Sequence, residues 1–425
     1  MCVIGLGYIG LPTAAMFANN GWNVVGVDIN TEAVKAINLG KIHIEEQGLE
    51  ILVSNAVNKD NLIAKFEAED ADCFIIAVPT PHHADNTANL DFVVEAVKSI
   101  VQYVKKGDII IIESTIPPRT INDVVAPIFS KEQWDVGNDI FLAHCPERVL
   151  PGKIIKELVE NNRIIGGINN ISTEKAAEVY ESFVTGSILK TSALSAEMSK
   201  LMENTYRDVN IALANELVKI SAELDLDALE VIKLANHHPR VNLHSPGPGV
   251  GGHCLAIDPY FIIEKAPNDS ILISSARAIN NSMPEFVVEQ IKKLVPNKSA
   301  KISILGLTYK GNIDDVRESP AMDIIKLLQN IGYNIGFYDP HVKQEQVNFY
   351  LGSFEEAIID SECLIVLTDH NEFISLDEHL ILSKMKNKLI FDTKDCVNIV
   401  NSSINYINFS NLGSLAKKCR INSLL

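Results

Sequence analysis

The sequence predicts an α/β chain made of two doubly wound parallel-sheet domains joined by a domain of long helices. Three observations carry this. Short apolar runs of strand length alternate with helical patterns at both ends of the 425-residue chain. Each end opens on a strand, a glycine turn, a helix, a second strand and an acidic residue, the unit of a parallel sheet covered on both faces. Between them, from about Ser192 to Lys233, there is no proline and apolar residues recur at helical spacing. A chain of this length exceeds one ordinary core. The expected domains are 1–190, 191–295 and 296–425.

Met1 to Ile4 reads as a buried strand running into a glycine turn, Leu11 to Asn20 as a helix, and Asn23 to Val27 as a strand ending at Asp28. Phe74 to Val78, Ile109 to Glu113 and Ile140 to Ala143 are further strand-length apolar runs. In the middle segment Ala196, Leu201, Ala212, Leu213, Leu217 and Ile220 fall on a long helical stretch. Such a stretch serves either as a dimer interface or as a buried connector. The last segment gives a strand at Lys301 to Leu305, a helix at Pro320 to Ile331, and a strand at Asn334 to Tyr338 ending at Asp339. Strands at Leu364 to Leu367 and Leu389 to Phe391 follow.

Composition excludes several classes. Lys and Arg number 37 against 54 Asp and Glu, for a net charge of −17, so no cationic excess exists to replace the counterions of a nucleic acid. Seven scattered cysteines, an odd number, do not form a disulfide framework and fit a reducing cytoplasm. Cys73 and Cys363 sit in apolar runs as small core residues. The apolar N-terminus lacks the basic region of a signal peptide, and no run approaches a membrane span.

Gly5-Leu-Gly-Tyr-Ile-Gly10 follows a strand and opens a helix, and Asp28 stands about twenty residues on, at the end of the next strand. This is a dinucleotide-binding, Rossmann-type fingerprint. Gly5 makes the tight turn, Gly7 lets the backbone approach a pyrophosphate, and Gly10 allows close helix–strand packing. The pyrophosphate meets the helix N-terminus. Asp28 would take the ribose hydroxyls and repel a 2′-phosphate, favouring NAD over NADP. The last segment reads as a second Rossmann-like domain with a changed fingerprint. After Gly306 it carries Tyr309 and Lys310, which suit a phosphate or sugar ligand. Thr80 and Thr115 end strands in Ala77-Val-Pro-Thr-Pro81 and Glu113-Ser-Thr-Ile-Pro117, where a parallel sheet faces its ligand crevice.

Gly247-Pro-Gly-Val-Gly-Gly-His-Cys-Leu-Ala-Ile-Asp258 sets Cys254 in a glycine-rich turn. Hydride transfer to NAD needs no nucleophile. A cysteine beside such a cofactor suggests that an aldehyde is captured as a thiohemiacetal and oxidised to a thioester. Lys200, Asn204 and Arg207 share one helix face by spacing, as a solvated surface would also show; the apolar and small residues around Asn204 add weight to a site. A buried Lys200 would serve as a base. His237, His238, His244, His253 and Cys254 match no usual zinc spacing, and no metal is expected.

With His237-His-Pro-Arg-Val-Asn242 and Cys145-Pro-Glu-Arg-Val-Leu-Pro-Gly152 added, the chain resembles the nucleotide-sugar 6-dehydrogenases, the UDP-glucose and GDP-mannose dehydrogenase family, over nearly its whole length. It is most similar to the branch that oxidises UDP-N-acetylmannosamine. The resemblance implies oxidation of a sugar C6 alcohol to a carboxylate with two NAD and one water, in a cytoplasmic homodimer paired through its central helices. A role in surface or capsular polysaccharide synthesis is a family-level expectation. It implies Cys254 as nucleophile, Lys200 as acid/base and Asn204 as oxyanion donor. Asp258 would tune the proton state of Lys200 or the attacking water, and Glu147 would serve thioester hydrolysis. Substrate positions are Arg148, Val149, Lys200, Asn204, Arg207, His238, Arg240, Gly251, Tyr309, Lys310 and Lys394. Tyr8, Ile9, Asp28, Thr80, Thr115 and Arg317 match cofactor contacts. Pro151 stands where the UDP-glucose enzymes carry a second glutamate, which argues against UDP-glucose. UDP-N-acetylglucosamine and UDP-glucose are the alternative substrates. A two-electron hydroxyacid-type dehydrogenase and a non-catalytic NAD-binding protein are the more distant alternatives. NADH released per sugar, two, one or none, separates the classes.

Overall fold

Continuous apolar runs such as Cys73-Phe-Ile-Ile and Ile109-Ile-Ile-Ile form strands buried on both faces, as a parallel sheet between helical layers requires. The computed structural model describes residues 1–150 and 152–413, so Pro151 lies outside the described residues. The chain divides into two units, Met1–Glu203 with Tyr260–Pro267, and Asn204–Pro259 with the chain from Asn268 onward.

The first unit holds eight strands: β1 (Cys2–Ile4), β2 (Val24–Val27), β3 (Leu62–Lys65), β4 (Cys73–Ile76), β5 (Ile109–Ile112), β6 (Phe141–His144), β7 (Arg163–Gly167) and β8 (Ile188–Ser192). Their order is β3-β2-β1-β4-β5-β6-β7-β8. Every neighbouring pair is parallel except β6–β7, which meet antiparallel through Ala143↔Gly167 and His144↔Gly166. Alternation sorts the two faces. Val3, Ile75 and Ile111 pack with Leu11, Phe17 and Tyr180, whereas Ile4, Phe74, Ile76, Ile110 and Ile112 pack with Val97 and Phe129. The order reverses at β1 and β4, so a crevice opens outside their carboxyl ends, where Gly5 and Ala77 stand.

The second unit holds five parallel strands, β9 (Lys301–Leu305), β10 (Asn334–Tyr338), β11 (Cys363–Val366), β12 (Leu389–Asp392) and β13 (Asn405–Asn408), in the order β10-β9-β11-β12-β13. Ile302, Ile304, Ile365 and Phe391 form a core with Ile324 and Leu328, and with Val218, Ala228, Met283, Val287 and Ile291 from the helices before the sheet. Two α/β sheets with a helical middle are therefore present.

β9, the Pro320–Ile331 helix and β10 fall where the pattern placed them. β3, β7, β8 and β13 were not expected. The middle helix runs Ala193–Leu224 and stops at Asp225, whose φ of 61° is left-handed. Asp227 caps the next helix, Ala228–Ala235, by accepting the Glu230 amide, so the stretch is two helices rather than one. Leu201 and Ala212 are buried, but Leu213 and Ile220 stand exposed. Among the described residues no helix is long and apolar enough to cross a membrane. Burial pushes the Cys73 and Cys363 thiols up to about 12, as for inert core residues.

Candidate active site

In the first unit the glycine turn is built by contact. Gly5 has φ 90°, and a Cβ there would lie 2.7 Å from the Ala77 carbonyl oxygen. A Cβ on Gly10 would lie 1.8 Å from the Gly5 carbonyl oxygen, while one on Gly7 would meet nothing within 4 Å. The open backbone at Gly7 leads into the Gly10–Asn19 helix, whose N-terminus faces the turn. Asp28 is half-buried and accepts the Leu6 amide at 2.8 Å and the Asn30 amide at 2.8 Å. Tyr8 is exposed, and Ile9 and Thr115 are half-buried. The Thr80 hydroxyl is buried and has no partner among the described residues. An open glycine backbone, an acid at the end of β2 and an unsatisfied hydroxyl after β4 fit a bound NAD.

Glu147 follows β6 and is buried. Its Oε2 accepts from Arg163 Nη2 at 3.0 Å and its Oε1 from the Arg148 amide at 2.5 Å. Arg163, invisible as a site residue in the sequence, is 5% exposed and lies 3.5 Å from Glu113 and 4.7 Å from the Tyr180 ring centroid. Burial pushes the Glu113 carboxyl up to about 7 against the pull of Arg163. Arg148 is drawn onto Glu203, Nη2 to Oε1 at 2.5 Å, and Val149 is half-buried. His144 ends β6, and its Nδ1 donates to the Ile112 carbonyl at 2.8 Å. Burial, aided by the charge of Lys200, pushes it down to about 3, so its imidazole is neutral. Lys200 is half-buried rather than buried.

The second unit holds the cysteine. Asn204 and Asp258 are buried, and Asn204 Nδ2 donates to Asp258 Oδ2 at 2.6 Å. Asp258 opens the Asp258–Lys265 helix, and its amide donates to the Cys254 carbonyl at 2.9 Å. Cys254 is exposed. The glycines before it lie on the altered turn of the second sheet. A Cβ on Gly251 would meet the Glu318 carbonyl oxygen at 2.2 Å, and one on Gly252, φ 82°, the Tyr309 ring at 2.7 Å. Tyr309 is half-buried, and burial raises its hydroxyl pKa, with the charges of Asp315 and Cys254 adding to the rise. Arg317 pairs with Asp315, Nη2 to Oδ2 at 2.7 Å. Lys394 lies 3.7 Å from Asp369, and its ammonium stands beside Gly247. Arg207, His238, Arg240 and Lys310 are exposed. The structure thus gathers Asn204, Asp258, Cys254, Gly251 and Tyr309, and leaves His238 and Arg240 on an exposed turn after Ala228–Ala235.

Among the described residues, His341, His370 and Glu372 bring possible ligand atoms within 4.8 Å of one another. His370 has no lone pair to give. Its Nδ1 accepts from the Asn312 amide at 2.9 Å and its Nε2 faces Asp339 Oδ2 at 3.1 Å.

Residues 1–184 match the NAD binding domain of the UDP-glucose/GDP-mannose dehydrogenase family, residues 194–282 its central domain and residues 303–399 its UDP binding domain. A UDP-N-acetyl-D-mannosamine dehydrogenase from Methanococcus maripaludis is 51% identical over 406 residues, covering 93% of this chain and 92% of the relative. One from Campylobacter jejuni is 48% identical over 400 residues, covering 90% and 98%. A solved UDP-N-acetyl-mannosamine dehydrogenase from Staphylococcus aureus aligns with a TM-score of 0.90 at 48% identity, covering 97% of this chain and 99% of that one.

Proposed function

The chain belongs to the UDP-glucose/GDP-mannose dehydrogenase family, and on that premise we propose that it oxidises the C6 alcohol of UDP-N-acetyl-D-mannosamine to the carboxylate with NAD. One observation carries the reading. An exposed cysteine is held in a glycine loop pressed on Tyr309 and followed within one turn by the buried Asn204–Asp258 pair. A two-electron dehydrogenase has no use for such a cysteine.

Bound NAD, held at Gly5, Gly7, Gly10, Asp28 and Thr80, supplies the hydride acceptors. Lys200 takes the proton of the C6 hydroxyl, directly or through water. The Cys254 sulfur adds to the aldehyde carbon to give a thiohemiacetal. Loss of a second hydride leaves a thioester, and water splits it into carboxylate and thiol. Asp258 accepts only, so the Asn204 amide must turn its nitrogen toward it. The second N–H of that nitrogen remains to stabilise the oxyanion. Glu147, fixed by Arg163, serves the hydrolysis. Arg148, Val149, Arg207, His238, Arg240, Gly251, Tyr309, Lys310 and Lys394 recognise the UDP-sugar, and Tyr8, Ile9, Thr115 and Arg317 complete the cofactor site.

The partner is a second copy of this chain. Met202, Tyr206, Leu213, Ile220 and Leu224 leave 45%, 56%, 52%, 45% and 62% of their surface exposed along one stripe of the Ala193–Leu224 helix, which a dimer would cover. A nucleophilic thiol that must stay reduced supports a cytoplasmic location for the enzyme.

The test is NADH released per sugar, with the substrate varied. Two NADH per UDP-N-acetylmannosamine are expected. Cys254→Ser should keep NAD affinity and lose steady formation of the acid. UDP-glucose should be used less well, by a factor on the order of 10⁴ in kcat/KM, if the site hydrogen-bonds the acetamido group and plain glucose leaves those partners unpaired. One NADH per sugar, acid formed at the normal rate by Cys254→Ser, or equal use of UDP-glucose would each overturn the corresponding part.

A further inference from the structure

The loop that carries Cys254 starts at Gly247, and the Gly247 amide donates to Asn215 Oδ1 at 2.9 Å. That bond ends a chain of buried side chains. Asn215 Nδ2 donates to Asn280 Oδ1 at 2.9 Å. Asn280 Nδ2 donates to Asp208 Oδ1 at 2.8 Å and to the Asp208 carbonyl at 3.0 Å. Arg277 Nη1 donates to the same Oδ1 at 2.6 Å. Asp208 and Asn215 lie two turns apart on the Ala193–Leu224 helix, and Arg277 and Asn280 one turn apart on Ile271–Asn281. None of the four is more than 4% exposed.

The polarity of this chain is forced. A carboxylate only accepts, so Asn280 must turn its nitrogen toward Asp208 and its oxygen toward Asn215. Asn215 must then donate to Asn280 and show its own oxygen to the loop. Burial pushes the Asp208 carboxyl up and the Arg277 guanidinium opposes it, which keeps the accepting end fixed. A core contact between two helices would be met by apolar side chains at less cost, since a partly satisfied buried network is worse than none. Here the last acceptor is spent on a backbone N–H of the glycine loop.

We infer that Asp208, Asn280 and Asn215 form a polar relay that positions the Cys254 loop by fixing an acceptor for the Gly247 amide. The inference rests on the reading of Cys254 as nucleophile. Its action is on loop geometry, so the residues are positioning residues and touch no substrate.

Three full-length variants read the relay. Asn215→Ala removes the acceptor of the Gly247 amide, and Asn280→Ala removes the group that turns the Asn215 oxygen toward the loop. Asp208→Asn keeps an oxygen toward both Asn280 and Arg277 and puts its nitrogen where Asp208 Oδ2 has no partner among the described residues, so it conserves every bond of the relay and is the control. Each would be measured for kcat and KM, NAD affinity, melting temperature and the pH profile of Cys254 alkylation by iodoacetamide. Asn215→Ala and Asn280→Ala should lose about tenfold to a hundredfold in kcat with little change in KM. Their alkylation profile should shift while NAD affinity stays the same, and Asp208→Asn should keep kcat within about threefold of wild type with an unshifted profile. Wild-type kcat and alkylation in Asn215→Ala overturn the relay, as does an Asp208→Asn variant as impaired as the alanine variants, or the failure of both alanine variants to fold. If Asn215→Ala alone fails to fold, Asn280→Ala decides. Alkylation reads the loop without turnover, so a wild-type enzyme that released one NADH would sink the proposed reaction and leave the relay standing or falling on its own measurement.

Discussion

The two sheets begin alike and end in different uses. β1 runs into Gly5 and β9 into Gly306, with φ of 90° and 85°. In each, the acid closing the second strand accepts the amide of the residue after that glycine. Asp28 takes Leu6 and Asp339 takes Leu307, at 2.8 and 2.7 Å. There the likeness stops. Past Gly5 the helix begins at Gly10, the backbone at Gly7 is open, and Asp28 stays half-buried. Past Gly306 the helix waits until Pro320, and Asp339 is sealed under His370 with neither side chain exposed. The same local solution serves a dinucleotide when its acid can be reached. When the acid is capped, the lengthened turn is free to carry Tyr309, Lys310 and the seat for the cysteine loop.

Three comparisons break or sharpen this contrast. The largest effect belongs to Gly10→Ala, whose Cβ would sit 1.8 Å from a backbone oxygen that cannot retreat. It should cost about 4 kcal/mol or more of stability, seen as insoluble protein or loss of the first thermal transition. Gly7→Ala meets open space and should leave the melting temperature alone while weakening NAD. A Gly10→Ala protein that melts normally would refute the contact argument.

Next comes the pair of acids. Asp339→Asn breaks a fully buried pair and should cost about 3 kcal/mol with NAD affinity unchanged. Asp28→Asn, half-buried, should cost under about 1 kcal/mol and weaken NAD. The roles of His370 and an open ribose site would have to be exchanged if calorimetry gave the opposite pattern.

The smallest effect is a pH window. The second unit pairs its buried His370 with Asp339, whereas His144 in the first unit has no such carboxylate, and Nε2 meets no partner among the described residues. Its pKa, pushed down to about 3 from 6.5, means that the unfolded chain binds a proton in that window and the folded one does not. Stability therefore falls as pH drops below 6.5 toward 3. His144→Phe should remove about 1–2 kcal/mol of the difference between pH 7 and pH 5 in urea unfolding. An unchanged difference would mean that His144 is protonated in the folded state.

The strands that were legible are those whose apolar run announces two buried faces, such as β4, β5 and β9. β3 and β8 were not. Each lies at a sheet edge, and Leu-Ile-Ala-Lys and Ile-Leu-Lys-Thr-Ser alternate weakly with polar residues. β7 begins with a buried arginine and ends in two glycines, a composition that hides a strand. In the fold around the site, motifs made of neighbours were readable: the glycine turn after β1 and the glycine loop before Cys254. Partnerships across distance were not. Nothing in Arg163 says that two carboxylates meet it, and nothing in Asn215 says that a loop amide does. Those contacts exist only once the sheets have formed, and spacing along the chain carries no trace of them.

The contact of Gly251 and Gly252 with Tyr309 and Glu318 has a consequence for building hybrids between relatives. A crossover near residue 300 looks natural, since it keeps a whole sheet. It would unite a glycine loop from one parent with a tyrosine turn from another, at separations where no side-chain carbon fits. A donor segment that begins at Asn204 keeps the two together, because the cysteine loop and the tyrosine turn are packed on each other and should be inherited together.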